Sequence, residues 1–491
     1  MGDGLTNTHA REQRPFSPPS HQYAPADLEA AHWLSLGRVP DTEAAHALVA
    51  RIAEDIRPHL GSRTKAALGN RDKGKERRVR ETGIILAGLL RRGLKGHWSA
   101  VNESPSTWFW KASRKLPVKH TAFQTKVDAM QALGLLDHVP GKSFKGAFGD
   151  YQGHAARLRP SKKLLELAEQ YGCLSQTAAQ DWKLINPAPV ERMATHELLS
   201  FTTIPRKRNG RIDPASRSKI AIPAGCEDLL TFMKALTSSL ATVVLTGCAA
   251  PVFQARFSGV REFGGRIYAQ GPDNYQNGIS KDERQHITIN GEPVAELDLS
   301  ASFLSIALAL LGQPAPEGDP YALPGLEEAH RAAIKQWFVV FWQTGKAPNK
   351  WSDKTPQVIR NSIPPMDITG PAFERYPALK DIKSIVPEAL LKSVEKPMRS
   401  WAVGQYLTGV EAGIMREAMS SIMETGGIVL PVHDSLIVPR AQVILARRAL
   451  RNAGVHIVGR VLRIKITEIT DSFKDQPSEA GGFFANNLLS A

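Results

Sequence analysis

The chain has 491 residues, with 62 Lys or Arg against 48 Asp or Glu, a net charge of +14. Hydrophobic residues make up 42% and charged residues 22%, a composition that excludes wholesale disorder, and the length allows about two to four domains. No apolar stretch reaches the ~20 residues needed to cross a bilayer. The opening MGDGLTNTHAREQRPFSPPSHQ lacks the apolar segment of a secretory signal. Cys173, Cys226 and Cys248 are too far apart in sequence for a CxxC zinc site or a disulfide framework. These features predict a cytoplasmic protein of a reducing compartment with no membrane partner. Its basic surface favours polyanions, nucleic acid first.

Residues 1–25 are polar and Pro-rich and read as a disordered tail. Residues 26–184 read as a basic, mostly helical, nucleic-acid-binding region. Between Arg57 and Lys95 it holds twelve Lys or Arg against three acidic residues; a charge run by itself more often marks a solvated helix face. From about 120 to 172, TAFQTKVDAMQAL has helical spacing and stops at Gly134. LLDHV then reads as a strand, GKSFKGAFGDYQG as a basic hairpin and HAARLRP as a returning strand. That is the order of a winged helix, whose helix enters the major groove while the hairpin contacts backbone. It places Lys126 on the recognition helix and Lys142 and Lys145 on the wing, as duplex-binding residues. An ordinary helix and hairpin in a larger domain would give the same pattern. Residues 185–255 contain the breakers NPAP, PRKRNGR and IPAG and then a helical stretch, which predicts a linker and a thumb-like helical region.

Residues 256–491 carry the chemistry. VAELDL alternates like a strand and SASFLSIALALL continues as a helix, leaving Asp298 at a strand end in apolar surroundings. A carboxylate there needs a partner, and a divalent cation is one; a helix N-cap is the plainer role. IVLPVHDSLIVP reads as a hairpin that projects Asp434 from its turn, where an Asp bonding its own backbone is equally common. In HRAAIKQWFVVFWQTG, Arg331 and Lys335 are four apart and share a helix face. Such a pair suits a triphosphate or is simply solvated. FGGRIYAQGPDNYQNGI combines a cation, amides and Tyr, a chemistry suited to a nucleic-acid backbone or minor groove. Two strand-borne Asp residues near cations are the parts of a two-metal phosphoryl-transfer site.

In this order the segments resemble the palm and fingers of family A (Pol I-like) DNA polymerases, and more distantly phage-type single-subunit RNA polymerases. The resemblance spans roughly residues 256 to 472. DLSASFLSIALALLG is similar to the first palm motif, DPYALPG with Arg331 and Lys335 to the approach and fingers helix, GQYLTGVEAGIMREAM to the helix before the last motif, and IVLPVHDSLIVP to that motif. The resemblance implies an α+β right-hand polymerase with an antiparallel palm sheet and helical fingers and thumb. It implies two Mg2+ (Mn2+ is possible) held by Asp298, Asp434 and the Leu299 backbone. Arg331, Lys335, Phe303 and Trp342 would bind the nucleotide, with Lys335 also catalytic. Arg266, Gln276, Asn277, His433 and Thr408 would bind primer–template.

Three positions depart from the family pattern. The fingers helix ends in Gln343-Thr344-Gly345 where the family has Tyr-Gly, so the stacking aromatic is missing or supplied by Trp342 or Phe341. Ser435 follows the RNA-polymerase form of the last motif. Phe303 replaces the Glu five residues after the first Asp, and its ring would block a ribose 2′-OH. The expected activity is addition of dNTPs to a 3′-OH on a DNA primer–template, in replication of a plasmid, phage or mobile element. RNA synthesis or priming, with RNA as a partner, is the alternative within the class. A non-enzymatic DNA-binding replication initiator with a decayed palm is the alternative outside it.

Overall fold

A computed structural model describes residues 23–60, 71–103, 117–145, 151–185, 195–208, 211–213, 216–270, 273–279, 281–352 and 355–468. Nearly all of the segment expected to be a disordered tail lies outside them. The described residues form a mixed α+β structure with several small sheets, two large apolar cores and a small third.

The N-terminal core is built on two helices. α1 (Glu43–Asp55) is capped by the Thr42 hydroxyl, which accepts from the Ala45 amide. α2 (Arg71–Gly93) changes character along its length. Lys73, Lys75, Arg77 and Arg80 are exposed, whereas Ile84, Ile85, Leu86, Ala87, Leu89 and Leu90 are fully buried. The basic run is thus a solvated first half, and the second half is apolar on every side because it runs through the core. β1 (Ser99–Val101), α3 (His120–Ala132), β2 (Leu136–Val139), β3 (Lys142–Lys145), β4 (Tyr151–His154) and β5 (Ala156–Pro160) follow. β5 pairs antiparallel with both β1 and β2, and β3 with β4.

The helix, strand, hairpin, strand order expected here is present, but Lys126 does not sit on an outward face. It is 6% exposed and bonds Glu81 of α2 at 2.6 Å. Phe123, Val127 and Met130 share its face, so the helical stripe carries Lys126 inward with them. Outward-facing positions of α3 are Thr121 and Asp128. The side chains of Lys142 and Lys145 lie outside the described residues.

The segment expected to be a linker is sheet. β6 (Leu199–Thr202) runs parallel to β8 (Val252–Ser258), which pairs antiparallel with β9 (Val260–Gln270). β7 (Lys219–Ile220) adds to β6, and α4 (Glu227–Ser239) packs against β8. The expected boundary after residue 255 therefore cuts through β8. Short strands between Pro and Gly breakers leave too little alternation to read.

The remaining elements surround β10 (Glu292–Leu299), which is followed by α5 (Ser302–Leu310), α6 (Arg331–Thr344) and α7 (Arg399–Glu424). β11 (Leu430–Val432), β12 (Ser435–Pro439), α8 (Val443–Val458) and β13 (Ile464–Glu468) complete the unit. β10 lies between β12 and β13, antiparallel to both. Side chains alternate across a strand. Ala295, Leu297 and Leu299 of β10, with Leu436 and Val438 of β12, are buried on the side packed by α8. Glu296 and Asp298 point to the opposite face.

The two large cores are joined by a buried charge cluster. Asp273, 2% exposed, accepts from the Ser35 hydroxyl, from Arg38 Nε at 3.4 Å and from Arg91 Nη1 at 2.5 Å. Arg91 also bonds Glu283 at 2.8 Å, and Arg92 donates to the Gly278 carbonyl. Asp273 and Gly278, from the stretch expected to contact nucleic acid, instead dock the N-terminal unit. Asp273→Asn would leave buried Arg38 without its carboxylate and Arg91 with Glu283 alone, and loss of one partner from such a cluster costs about 3–5 kcal/mol. Chemical denaturation should show that loss; a change below about 1 kcal/mol would mean the cluster is solvated in solution.

Candidate active site

Strand ends place the two carboxylates. β10 turns into α5 through Ala301, at φ 47°, so the chain reverses within a few residues of Asp298. The β11–β12 turn is His433-Asp434, with His433 at φ 53°, a conformation few non-Gly residues adopt readily. Asp298 pairs with Ser435 in the ladder, and the Leu299 amide donates to the Asp434 carbonyl at 3.0 Å. Neighbouring strands lie about 4.8 Å apart, so Asp298 and Asp434 occupy adjacent positions at one sheet edge, both half-buried. The Leu299 side chain points into the core.

Two carboxylates with nearby backbone oxygens form an oxygen-only donor set, the kind a hard divalent cation takes. Among the described residues no group of three His, Cys, Asp or Glu is arranged for a metal, so water and substrate oxygens would fill the rest of the shell. Glu296 lies on the same face of β10, two residues before Asp298. It accepts from the Ser435 hydroxyl at 2.7 Å and approaches Arg284 at 3.5 Å.

Arg266 is fixed beside this edge by a residue the sequence reading missed. Glu411 of α7 is fully buried, and Arg266 Nε reaches its Oε1 at 2.8 Å. Its other oxygen accepts from Ser302 of α5 at 2.5 Å. The Arg266 guanidinium lies 5.3 Å from the Phe303 ring centre. Burial pushes the Glu411 carboxyl up to about 7 against the pull of Arg266, with Asp434 raising it further. Burial also pulls Arg266 down, but Glu411 carries it above its ordinary value. Nothing in the sequence sets Glu411 apart from the other acidic residues of that helix, Glu417 and Glu424.

The two cations of α6 meet on a second missed residue, Tyr321. Lys335 Nζ lies 5.3 Å and Arg331 Cζ 5.5 Å from its ring centre. Burial raises the Tyr321 hydroxyl; Arg331 lowers it, and Asp319, Asp434 and Asp298 raise it. One half-buried ring is therefore within electrostatic reach of both cations and both candidate metal ligands. Lys335 is exposed. Arg331 is not a free cation: Asp319 grips it through both carboxylate oxygens, at 2.6 and 3.1 Å.

Several expected site residues have other work. Gln276 is 8% exposed, donates to the Ile267 and Pro431 carbonyls and accepts from the Ala269 amide. Its amide is consumed in tying β9 to β11, which removes it as a primer–template contact. Trp342 is 6% exposed, its ring packed among Phe303, Phe338 and Phe341. It has no open face on which a base could stack. Phe341 is buried as well. Asn277 is exposed. The Thr408 hydroxyl donates to the Gly404 carbonyl. His433 lies edge-on to Tyr268, with ring centres 5.4 Å apart; burial lowers its pKa, and its Nδ1 is buried without a partner among the described residues.

Glu411 gives a pH signature. Its carboxyl titrates higher in the folded chain than its ordinary value of 4.5. The native state therefore holds that proton more tightly than the unfolded chain does. Its contribution is fully present below pH 4.5 and is lost as pH rises to about 7. Glu411→Gln should remove this decline, so that the difference in thermal midpoint between variant and wild type grows across that window. A constant difference would show Glu411 to be ionised throughout.

No family model and no curated protein matches the chain. Among solved structures, it is similar to the POL domain of Pol1 from M. smegmatis in complex with DNA primer-template and dNTP. The two are 13% identical with a TM-score of 0.31, and the match covers 88% of this chain but 66% of the other, just under two thirds. So distant a likeness establishes neither fold nor activity.

Proposed function

We propose that the chain is a template-directed nucleotidyltransferase that adds dNTPs to a primer 3′-OH at Asp298 and Asp434, on a right-hand palm whose fingers helix is α6. The observation that carries this reading is the pairing of Asp298 with Ser435, which brings the turn bearing Asp434 next to the strand end bearing Asp298. Support comes from Tyr321, which faces that pair and both cations of α6.

In the reaction the 3′-OH gives its proton to water and its oxygen bonds the α-phosphorus, the bond to the β-phosphate bridge breaks, and pyrophosphate leaves. Asp298, Asp434 and the Leu299 backbone would hold two Mg2+ (or Mn2+), which when bound would supply charge that stabilises the attacking and leaving oxygens. Exposed Lys335 meets the triphosphate and hands a proton to the leaving pyrophosphate. Arg331 joins it when the triphosphate displaces Asp319. Arg266, held by Glu411, steadies the primer end beside His433. The Phe303 ring, under Arg266 and against Trp342, fills the space a 2′-OH would need. The N-terminal unit, with the strand order of a winged helix, recruits the duplex through its hairpin and the exposed half of α2.

Primer extension with purified protein, dNTPs or rNTPs, and Mg2+ or Mn2+ tests the reading. Asp298→Ala and Asp434→Ala should each abolish addition, since each removes an anchor for several kcal/mol of transition-state stabilisation, while DNA binding persists. Retention of activity in either variant would end the proposal. Lys335→Ala should lower kcat more than Arg331→Ala, because Arg331 is already engaged by Asp319.

Phe303→Ala should raise use of rNTPs relative to dNTPs. The assay compares kcat/KM for the two sugars in both proteins. A wild-type preference for rNTPs would refute the steric role and favour RNA synthesis, the reading Ser435 suggests.

A further inference from the structure

Between Asp434 and Glu468 lie 33 residues with no carboxylate and seven Lys or Arg. About half of that segment is α8. Ala446, Ala449, Leu450, Ala453 and Gly454 form its buried stripe, against α7 and the sheet. Arg447, Arg448 and Arg451 are exposed on the other side, and none has an ion pair or hydrogen bond to a described residue. Glu417 of α7, the helix against which α8 packs, is taken by His456 at 2.8 Å. Because α8 covers the apolar face of β10 and β12, its outer surface is on the opposite side of the sheet from Asp298.

We infer that this outer face of α8 is a second nucleic-acid site, one that holds duplex DNA by its phosphates outside the catalytic cleft. Arg447 and Arg451 are one turn apart, about 6 Å along the axis, with Arg448 beside them. Guanidiniums match phosphate oxygens in pairs. The helix, VILARRALRNAGVHIV, has no Phe, Tyr or Trp, so it lacks the stacking platforms by which single strands are held. That leaves backbone contact with a duplex. A lipid surface fits less well: Ile444 and Val455 are exposed, at 83% and 48%, but the three Arg lie between them and break any continuous apolar face. The inference goes beyond the catalytic reading and does not depend on it.

The test is a salt titration of full-length protein binding to a short labelled blunt duplex. Neutralising Arg447, Arg448 and Arg451 together to Gln should make the dependence of log K on log salt shallower by about 0.9 for each phosphate no longer neutralised. All three side chains are exposed, so the thermal midpoint should not move. A control with Lys350, Lys380 and Lys383 changed to Gln makes the same change in net charge on other exposed positions and should leave the slope unaltered. An unchanged slope in the Arg triple variant, or an equal fall in the control, overturns the inference. So does loss of binding to phosphatidylglycerol vesicles or poly-glutamate by the Arg triple variant with duplex binding intact. Wild-type failure to add nucleotides would defeat the catalytic reading alone, because the titration needs no turnover.

Discussion

The arrangement at the centre of this molecule depends on strand register. β10 and β12 pair so that Asp298 is opposite Ser435. A slip of one residue would turn Asp298 into the core and Leu297 or Leu299 towards the cleft, because strand side chains alternate with a period of two. Register is secured at both ends. Fully buried Leu297, Leu436 and Val438 make the slip costly on the apolar face, and the two-residue turn at His433 leaves the hairpin no spare length. β13 adds a second partner, aligned Asp298 to Lys465. A carboxylate pair at a sheet edge can be held in place this way without bonding to each other.

A second theme is how the fold uses its many cations. Arg38 and Arg91 hold the two cores together through Asp273, Arg266 is fixed by Glu411, Arg331 by Asp319 and Lys126 by Glu81. Desolvated charges of this kind survive only with a partner, so these residues shape the structure first. The positive charge open to a polyanion comes from other positions, among them the first half of α2, Lys335 and the outer face of α8.

Glu411 and Tyr321 show how the site is assembled from distant segments. Glu411 draws together β9, α5 and α7, setting the Arg266 guanidinium over Phe303. Tyr321 lies on the connection before α6 and faces both cations there. Neither residue belongs to a run that carries chemistry by its spacing. Each matters through what folding brings within a few ångströms of it.

The sequence by itself determined the mixed α+β character, the strand ends bearing Asp298 and Asp434, the α6 helix with Arg331 and Lys335 on one face, and the strand and hairpin order after α3. These follow from local periodicity and turn chemistry, which span a few residues and need no partner. Tertiary structure decided which polar residues remained available. Lys126, Gln276 and Trp342 look functional in a linear reading, yet the first is inside an ion pair, the second has its amide spent between strands and the third is packed among aromatics. The sheet hidden in residues 199–258 was likewise invisible, since β6 pairs with a strand some fifty residues away. Burial and long-range pairing are properties of the whole chain's packing, and no local pattern encodes them.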